Sequence, residues 1–271
     1  LISYWSSDET LYPFLYHSNF ECPKAFMRLI SNQNAKEPVI GTVLTTANNI
    51  VTMPVNEESY VELVSIIGAS SLQLLPSLLK RLVNPEYVSV ATDLLLNLTK
   101  SGYVDDNETR SYLLSSLTSI IKDGFKGINK NETTKVLRVL SMLIREHECS
   151  WIEIEDLYKA TSALYRTYSE REIREELNEV FRGFRKVFPN LKKVSKFLND
   201  VNSYSGKRLQ EYDFPKRLSA FKSFIENDYV EYSELEWLPV ISNCLYFIND
   251  QDEMAIRTNA SHLSLIHISE P

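Results

Sequence analysis

The chain has 271 residues, 44% of them hydrophobic and 24% charged, so it can bury a core and is not a disordered segment. Its net charge of -7 excludes a dedicated basic nucleic-acid-binding domain, and any contact with nucleic acid must be local. Only 7 Gly are present, too few for many tight hairpin turns, which points away from a β architecture.

The apolar spacing is that of helices throughout, and it predicts thirteen of them. In chain order they fall near 21–33, 37–53, 57–70, 73–83, 85–101, 106–123, 131–147, 151–167, 170–187, 190–202, 215–227, 234–249 and 251–262. Leu113, Leu114, Leu117, Ile120 and Ile121 form one stripe. Val136, Leu137, Leu140, Leu143 and Ile144 form the next, and Ile154, Leu157, Ala160, Leu164 and Tyr165 a third. No stretch alternates as a strand would. Pro23, Pro38, Pro85 and Pro215 each precede an apolar run, where a missing N–H costs nothing. Gly102 and Gly124 follow apolar runs, where a left-handed residue ends a helix.

Three segments have the form of a capping box: Ser150 to Glu153, Ser169 to Glu172 and Ser233 to Glu236. In each the serine can accept a helix N–H and the glutamate can reach back to the serine N–H. The predicted helices pair through short loops at roughly 40 residues per pair, the spacing of HEAT-type repeats. The expected fold is therefore all-α, an α-solenoid of antiparallel helix pairs, with a compact bundle as the other arrangement of the same elements.

Catalytic patterns are missing. The segment His147 to Trp151 opens like a zinc-protease helix but lacks the second histidine, and the four His are scattered. Cys22, Cys149 and Cys244 are odd in number and far apart, which predicts a reducing compartment and three small buried apolar residues. Four N-x-S/T matches, at Asn97, Asn107, Asn131 and Asn259, are read as chance or helix caps. No apolar run reaches about 18 residues, the length that spans a bilayer. Glu170, Glu172, Glu175, Glu176 and Glu179, interleaved with Arg171, Arg174 and Arg182, read as a solvated, ion-paired face. The reading is a protein that is not an enzyme, with no cofactor, metal or small-molecule substrate.

One zone departs from the acidic average. Between residues 182 and 217 ten basic residues stand against three acidic ones. Arg182, Arg185, Lys186, Lys192, Lys193, Lys207, Arg208, Lys216 and Arg217 are the candidate RNA contacts, with Lys196 in the same zone. The alternative is that these residues complement helix C-termini and face water. The segment Asn202 to Leu218 is in either case a joint between two helices: Asp213 suits a cap, Pro215 a first turn and Gly206 a bend.

Several long segments carry a resemblance. V-N-S-Y-S, L-Q-E-Y-D-F-P-K-R-L-S-A-F-K, Y-S-E-L-E-W-L-P and the E-M-A-I-R-T-N-A-S-H run ending at His262 form one block. With L-I-S-N-Q-N-A-K-E-P-V-I-G at 29–41, P-V-N-E-E-S-Y-V-E-L-V at 54–64, L-L-P-S-L at 74–78 and C-S-W-I-E-I-E-D-L-Y at 149–158, it resembles the very large HEAT-repeat scaffold family of the small-subunit processome, "down-regulated in metastasis", of the budding-fungus type. The resemblance implies a nucleolar, non-enzymatic α-solenoid in the particle built around the U-three small nucleolar RNA. It implies a role in maturing 18S ribosomal RNA, and as partners other processome proteins, pre-rRNA and that particle, with no membrane. It also implies that this chain, which begins with Leu1, is an internal piece of a far longer one. Residues 1–262 are expected to be one stretch of the repeat array. Leu263 to Pro271 departs from the family and is expected to be foreign, of the kind that a translated adapter gives. Two readings from other classes are an importin-type transport receptor that binds protein cargo and the helical arm of a giant kinase.

Overall fold

The computed structural model describes residues 37–52, 71–126, 128–146, 149–206, 211–227, 232–250 and 253–269. The predicted helices at 21–33 and 57–70 lie outside them, as do Pro23, Cys22 and His147. The described residues form eleven α-helices and no strand. In order these are α1 (Glu37–Thr52), α2 (Ser71–Leu82), α3 (Val88–Lys100), α4 (Asn107–Lys122), α5 (Lys130–Glu146), α6 (Trp151–Thr167), α7 (Arg171–Val187), α8 (Lys192–Val201), α9 (Phe214–Asn227), α10 (Glu234–Phe247) and α11 (Met254–Ser269). The chain is all-α, in keeping with a helical-repeat solenoid. The predicted helix at 190–202 begins as a short 3-10 turn, Pro189–Leu191, before α8. Here the proline that ends α7 opens the next element.

Contacts divide the chain into two compact units, Leu1–Leu143 and Ile144–Pro271. In the first, α3 packs on α1 and on α2, and α2 also meets α4. Its core is aliphatic, built from residues such as Leu44, Leu78, Leu94, Leu98 and Leu113, all fully buried. In the second, α6 packs on both α7 and α10. The helix α8 meets α7, α9 and α10, and α11 closes on α9 and α10. This core is aromatic: Tyr158, Phe181 and Phe184 pack with ring centroids 5.3–5.4 Å apart. Phe197, Phe221 and Phe224 form a second cluster between α8 and α9.

Helix ends follow the local chemistry. Glu153 accepts from both the N–H and the Oγ–H of Ser150, each at 2.8 Å, and Glu236 does the same for Ser233 at 3.0 and 2.8 Å. The third expected box does not form. The residue flanking α7 is Glu170, and the Ser169 N–H turns to the Glu170 carboxylate instead. Asp106 caps α4 by accepting from the Thr109 N–H, and hydrogen bonds from the Thr109 hydroxyl and then from this N–H hold its carboxyl below the usual range. None of the four N-x-S/T asparagines is a cap: Asn107 and Asn131 lie just inside helices whose first turns are bonded by Asp106 and Asn129, and Asn97 and Asn259 are mid-helix. Pro85 precedes α3 in a turn and is not in its first helical turn, whereas Pro215 is the second residue of α9. Gly102 and Gly124 do adopt left-handed φ of 75° and 71° after α3 and α4.

One packing detail joins three observations. Pro239 lies inside α10, so its missing N–H leaves the Leu235 carbonyl without its helical partner. Tyr158, fully buried on α6, donates its phenol to that carbonyl at 2.6 Å. The kink-prone proline of one helix is thereby matched to a tyrosine of another, which fixes how α6 lies on α10.

At the other end of the unit α11 runs through to Ser269, and Leu263 is fully buried. The helix carries no break at the boundary where the foreign tail was expected to begin. Cys244 is buried, which pushes its thiol up, while Cys149 is only half-buried.

Candidate functional site

The basic zone is distributed over α7, α8 and α9, and the joint between the last two orders it. Tyr204 and Tyr212 face each other as an antiparallel bridge with ring centroids 5.0 Å apart. The Ser205 N–H donates to the Glu211 carbonyl at 2.7 Å, and the Asp213 N–H to the Ser203 carbonyl at 3.1 Å. Asp213 then accepts from the Lys216 N–H at 3.1 Å and starts α9. The segment is therefore a joint, as expected. Lys207 and Arg208 lie outside the described residues. Gly206 sits at a bend without a left-handed φ.

Arg217 is a correction. It is fully buried, not a surface contact. Its guanidinium lies 3.6 Å above the Tyr212 ring, with Tyr204 and Phe247 at 5.4 and 5.3 Å. Its Nε donates to the Ser203 carbonyl at 3.1 Å, and burial lowers its pKa. An RNA phosphate has no access to it. The one-turn spacing of Phe214, Arg217 and Phe221 along α9 would have placed it on the inward face.

Arg174 is the second correction. It is not part of a solvated face but 1% exposed. Its Nε donates to Asn202 Oδ1 at 2.8 Å and one terminal nitrogen to Asn243 Oδ1 at 3.0 Å. The other reaches the Tyr165 carbonyl at 3.0 Å and the Tyr168 carbonyl, which are unfilled acceptors at the C-terminal end of α6. The charge also stacks 4.1 Å above Tyr246. Burial brings its pKa down to about 10, so it remains a cation at neutral pH. This buried hub ties α6, α7, α8 and α10 together.

The remaining candidates among the described residues are exposed, with different partners. Arg182 donates to Glu179 and, at 3.0 Å, to Asn199 Oδ1. Lys186 donates to the Arg145 carbonyl. Arg185 and Lys192 are exposed without lining a depression among those described. Lys193, Lys196 and Lys216 come together. They line a groove of about 360 Å³ between α8 and α9, with Ser219 and Ser223 on its wall and Phe197, Ala220 and Phe224 as its floor. Asp200 faces Lys216 at 3.3 Å. A second depression along α9 shares Ser219 and Ser223 and adds Lys222.

The sequence reasoning missed Lys222 and both serines. The signal was available on α9, where Lys216, Ser219, Ala220 and Ser223 recur at i, i+3, i+4 and i+7 and so share one face. Which face of α8 would lie opposite could not be read from spacing. On the far side of Lys216, Glu175, Glu176 and Glu179 of α7 line a separate depression. The lysine surface thus has an acidic edge toward α7.

Among the described residues no group of three or more His, Cys, Asp or Glu side chains could hold a metal, and no helix is long and apolar enough to cross a membrane.

Comparison with known proteins matches residues 1–266 to the family described as U3 small nucleolar RNA-associated protein 20, N-terminal. The chain is 44% identical over 262 residues to U3 small nucleolar RNA-associated protein 20 of Saccharomyces cerevisiae, covering 97% of this chain and 10% of that protein. It is 28% identical over 270 residues to the protein of the same name from Schizosaccharomyces pombe, covering 95% of this chain and 11% of that protein. The chain spans about a tenth of the length of the curated relatives it matches.

Proposed function

The chain belongs to the U3 small nucleolar RNA-associated protein 20 family, in its N-terminal part, and from that premise we propose that it is a non-catalytic helical stretch of a scaffold in the small-subunit processome. It works in the nucleolus, holding processome proteins and pre-rRNA of the U3 particle in place while 18S ribosomal RNA matures. The observation that carries this reading is the end-to-end match: relatives named for association with the U3 small nucleolar RNA align with 97% and 95% of the chain. The helix-on-helix packing supports it, because stacked helices present long surfaces rather than a closed catalytic cleft. Family membership sets aside the importin-type reading and the kinase-arm reading, for which no kinase sequence is present in these residues.

The test is a segment swap. The matching stretch of the full-length S. cerevisiae relative is either deleted or replaced by this chain, in cells lacking the native protein. Replacement restores small-subunit rRNA maturation and co-sedimentation with the U3 RNA, and deletion leaves precursors accumulated on a northern blot. Normal maturation without the segment overturns the reading.

A further inference from the structure

Three lysines that are far from contiguous in the sequence are gathered by the pairing of α8 and α9, and a fourth, Lys222, lines the adjoining depression along α9. Lys193 and Lys196 are one turn apart on α8. Lys216 and Lys222 lie on α9, and Ser219 and Ser223 line both depressions. Within the two depressions themselves the acidic groups are Asp200, which faces Lys216, and Glu226 at the far end, two against four lysines, while Glu175, Glu176 and Glu179 lie in the adjoining depression on the α7 side of Lys216.

The chemistry of the strip selects among anionic partners. Protein interfaces are held by aromatic or aliphatic anchors that fill pockets. Here the aromatic residues of the floor are already used. Phe197 and Phe224 are 4% and 3% exposed, packed on each other at 4.7 Å, and Phe224 also packs on Trp237 at 5.7 Å. Neither ring is available to an incoming side chain or to stack on a base. What the strip presents is ammonium groups and serine hydroxyls, a chemistry that suits phosphate oxygens and carries no base information. The carboxylates of α7 border it on one side and would repel a polyanion, which confines such a ligand to the line of α8 and α9.

We propose that the α8–α9 groove binds the sugar-phosphate backbone of an RNA strand, through Lys193, Lys196, Lys216 and Lys222 with Ser219 and Ser223, without reading its sequence. This rests on the scaffold reading above. It narrows the basic zone of residues 182–217: Arg217 is internal, Arg185 and Lys192 lie beyond the groove, and Lys222 belongs to the site although it lies outside the zone.

Two charge-reversed forms of the full-length protein test it, K193E/K196E/K222E in the groove and R185E/K192E beside it. Lys216 is kept because it pairs with Asp200. Binding to an oligouridine probe is followed between about 50 and 200 mM KCl, where each lysine–phosphate contact on a single strand contributes about 0.7 to the slope of log K against log salt. The groove form is expected to lose about 2 from that slope. The neighbouring form is expected to keep the wild-type slope. The milder K193Q/K196Q/K222Q should fall between the groove form and wild type, and matching circular dichroism for all forms shows that folding is intact.

In cells, UV crosslinks from the native protein to pre-ribosomal RNA should map to peptides of α8 and α9 and vanish in the groove form. Unchanged slope and crosslinks in that form, an equal loss in the neighbouring form, or groove crosslinks that go to protein instead of RNA would each overturn the proposal. If the native protein co-sediments with the U3 RNA but shows no groove crosslink, the groove proposal fails alone. If it does not co-sediment at all, the scaffold reading fails with it.

Discussion

The buried arginine hub and the lysine groove are drawn from the same basic stretch of chain, and Lys216 and Arg217 are adjacent in it. One helical step turns Lys216 outward to the groove and Arg217 inward onto Tyr212, Tyr204 and Phe247. Arg174, from the acidic stretch before it, joins the inner set. The two regions use positive charge for opposite ends. In the hub no carboxylate bonds either arginine; carbonyls, amides and ring faces replace water around the cation. In the groove the lysines lie at the surface, where water and an anionic ligand can reach them. A count of basic residues along a sequence cannot separate these uses, and burial does.

The hub itself contains a contrast that can be broken by mutation. Arg174 is bonded by two asparagines and two carbonyls, whereas the terminal nitrogens of Arg217 have no hydrogen-bond partner and rely on stacking. Arg174→Met should therefore destabilise the chain by about 4 kcal/mol, because it strands several buried acceptors at once. Arg217→Met should cost about 1 kcal/mol or less, since an apolar side chain of similar volume removes a desolvated charge that is only partly bonded. Urea melts of both variants decide this; equal losses would show that stacking, not hydrogen bonding, holds the hub.

Next in size is the proline–tyrosine match. Tyr158→Phe should cost about 2 kcal/mol by leaving the Leu235 carbonyl buried and unbonded. Adding Pro239→Ala, which supplies the missing N–H, should recover most of that loss. A double-mutant cycle measures it, and strictly additive effects would sever the link.

Alkaline pH gives a further separation. Burial pushes the phenols of Tyr158 and Tyr165 above the ordinary value near 10. The folded state then holds these protons longer than the unfolded state does. Their contribution is complete below about pH 10 and is lost as pH rises beyond it. Arg174, shifted down to about 10, opposes this with one group. Thermal melts should be flat from neutral pH to about pH 9 and then fall, and Tyr165→Phe should flatten the fall. A fall that this variant does not change would assign it elsewhere.

The smallest effect compares the caps. Glu153→Ala should lower stability by about 1 kcal/mol, because the Ser150 box forms. Glu172→Ala should change it by a few tenths at most, because the Ser169 box does not form. Circular dichroism melts distinguish the two.

Much of the fold was legible beforehand because it is written locally. Helix α6 was expected over 151–167 and is found there, since Ser150 and Glu153 mark its start by contacts three residues apart. The Ser169 box failed although its letters fit, because Glu170 takes the flanking position and its own carboxylate captures the Ser169 N–H. For the candidate site, Lys193 and Lys216 were named, Lys222 was not, and Arg217 was given the wrong side. Each of these depends on which helix lies opposite, and a pattern of period 3.6 along one helix does not say what the neighbour presents.

What the sequence alone determined was the class of structure and the family. Periodicity, caps and prolines act within a few residues, and long ordered matches need no coordinates. Only the tertiary structure decided which cations are internal. Burying Arg174 and Arg217 depends on acceptors and rings brought from as far as Asn243 and Phe247, and the groove exists only where α8 meets α9. Desolvation and groove shape are properties of packed surfaces, and those surfaces come from residues that the chain keeps far apart.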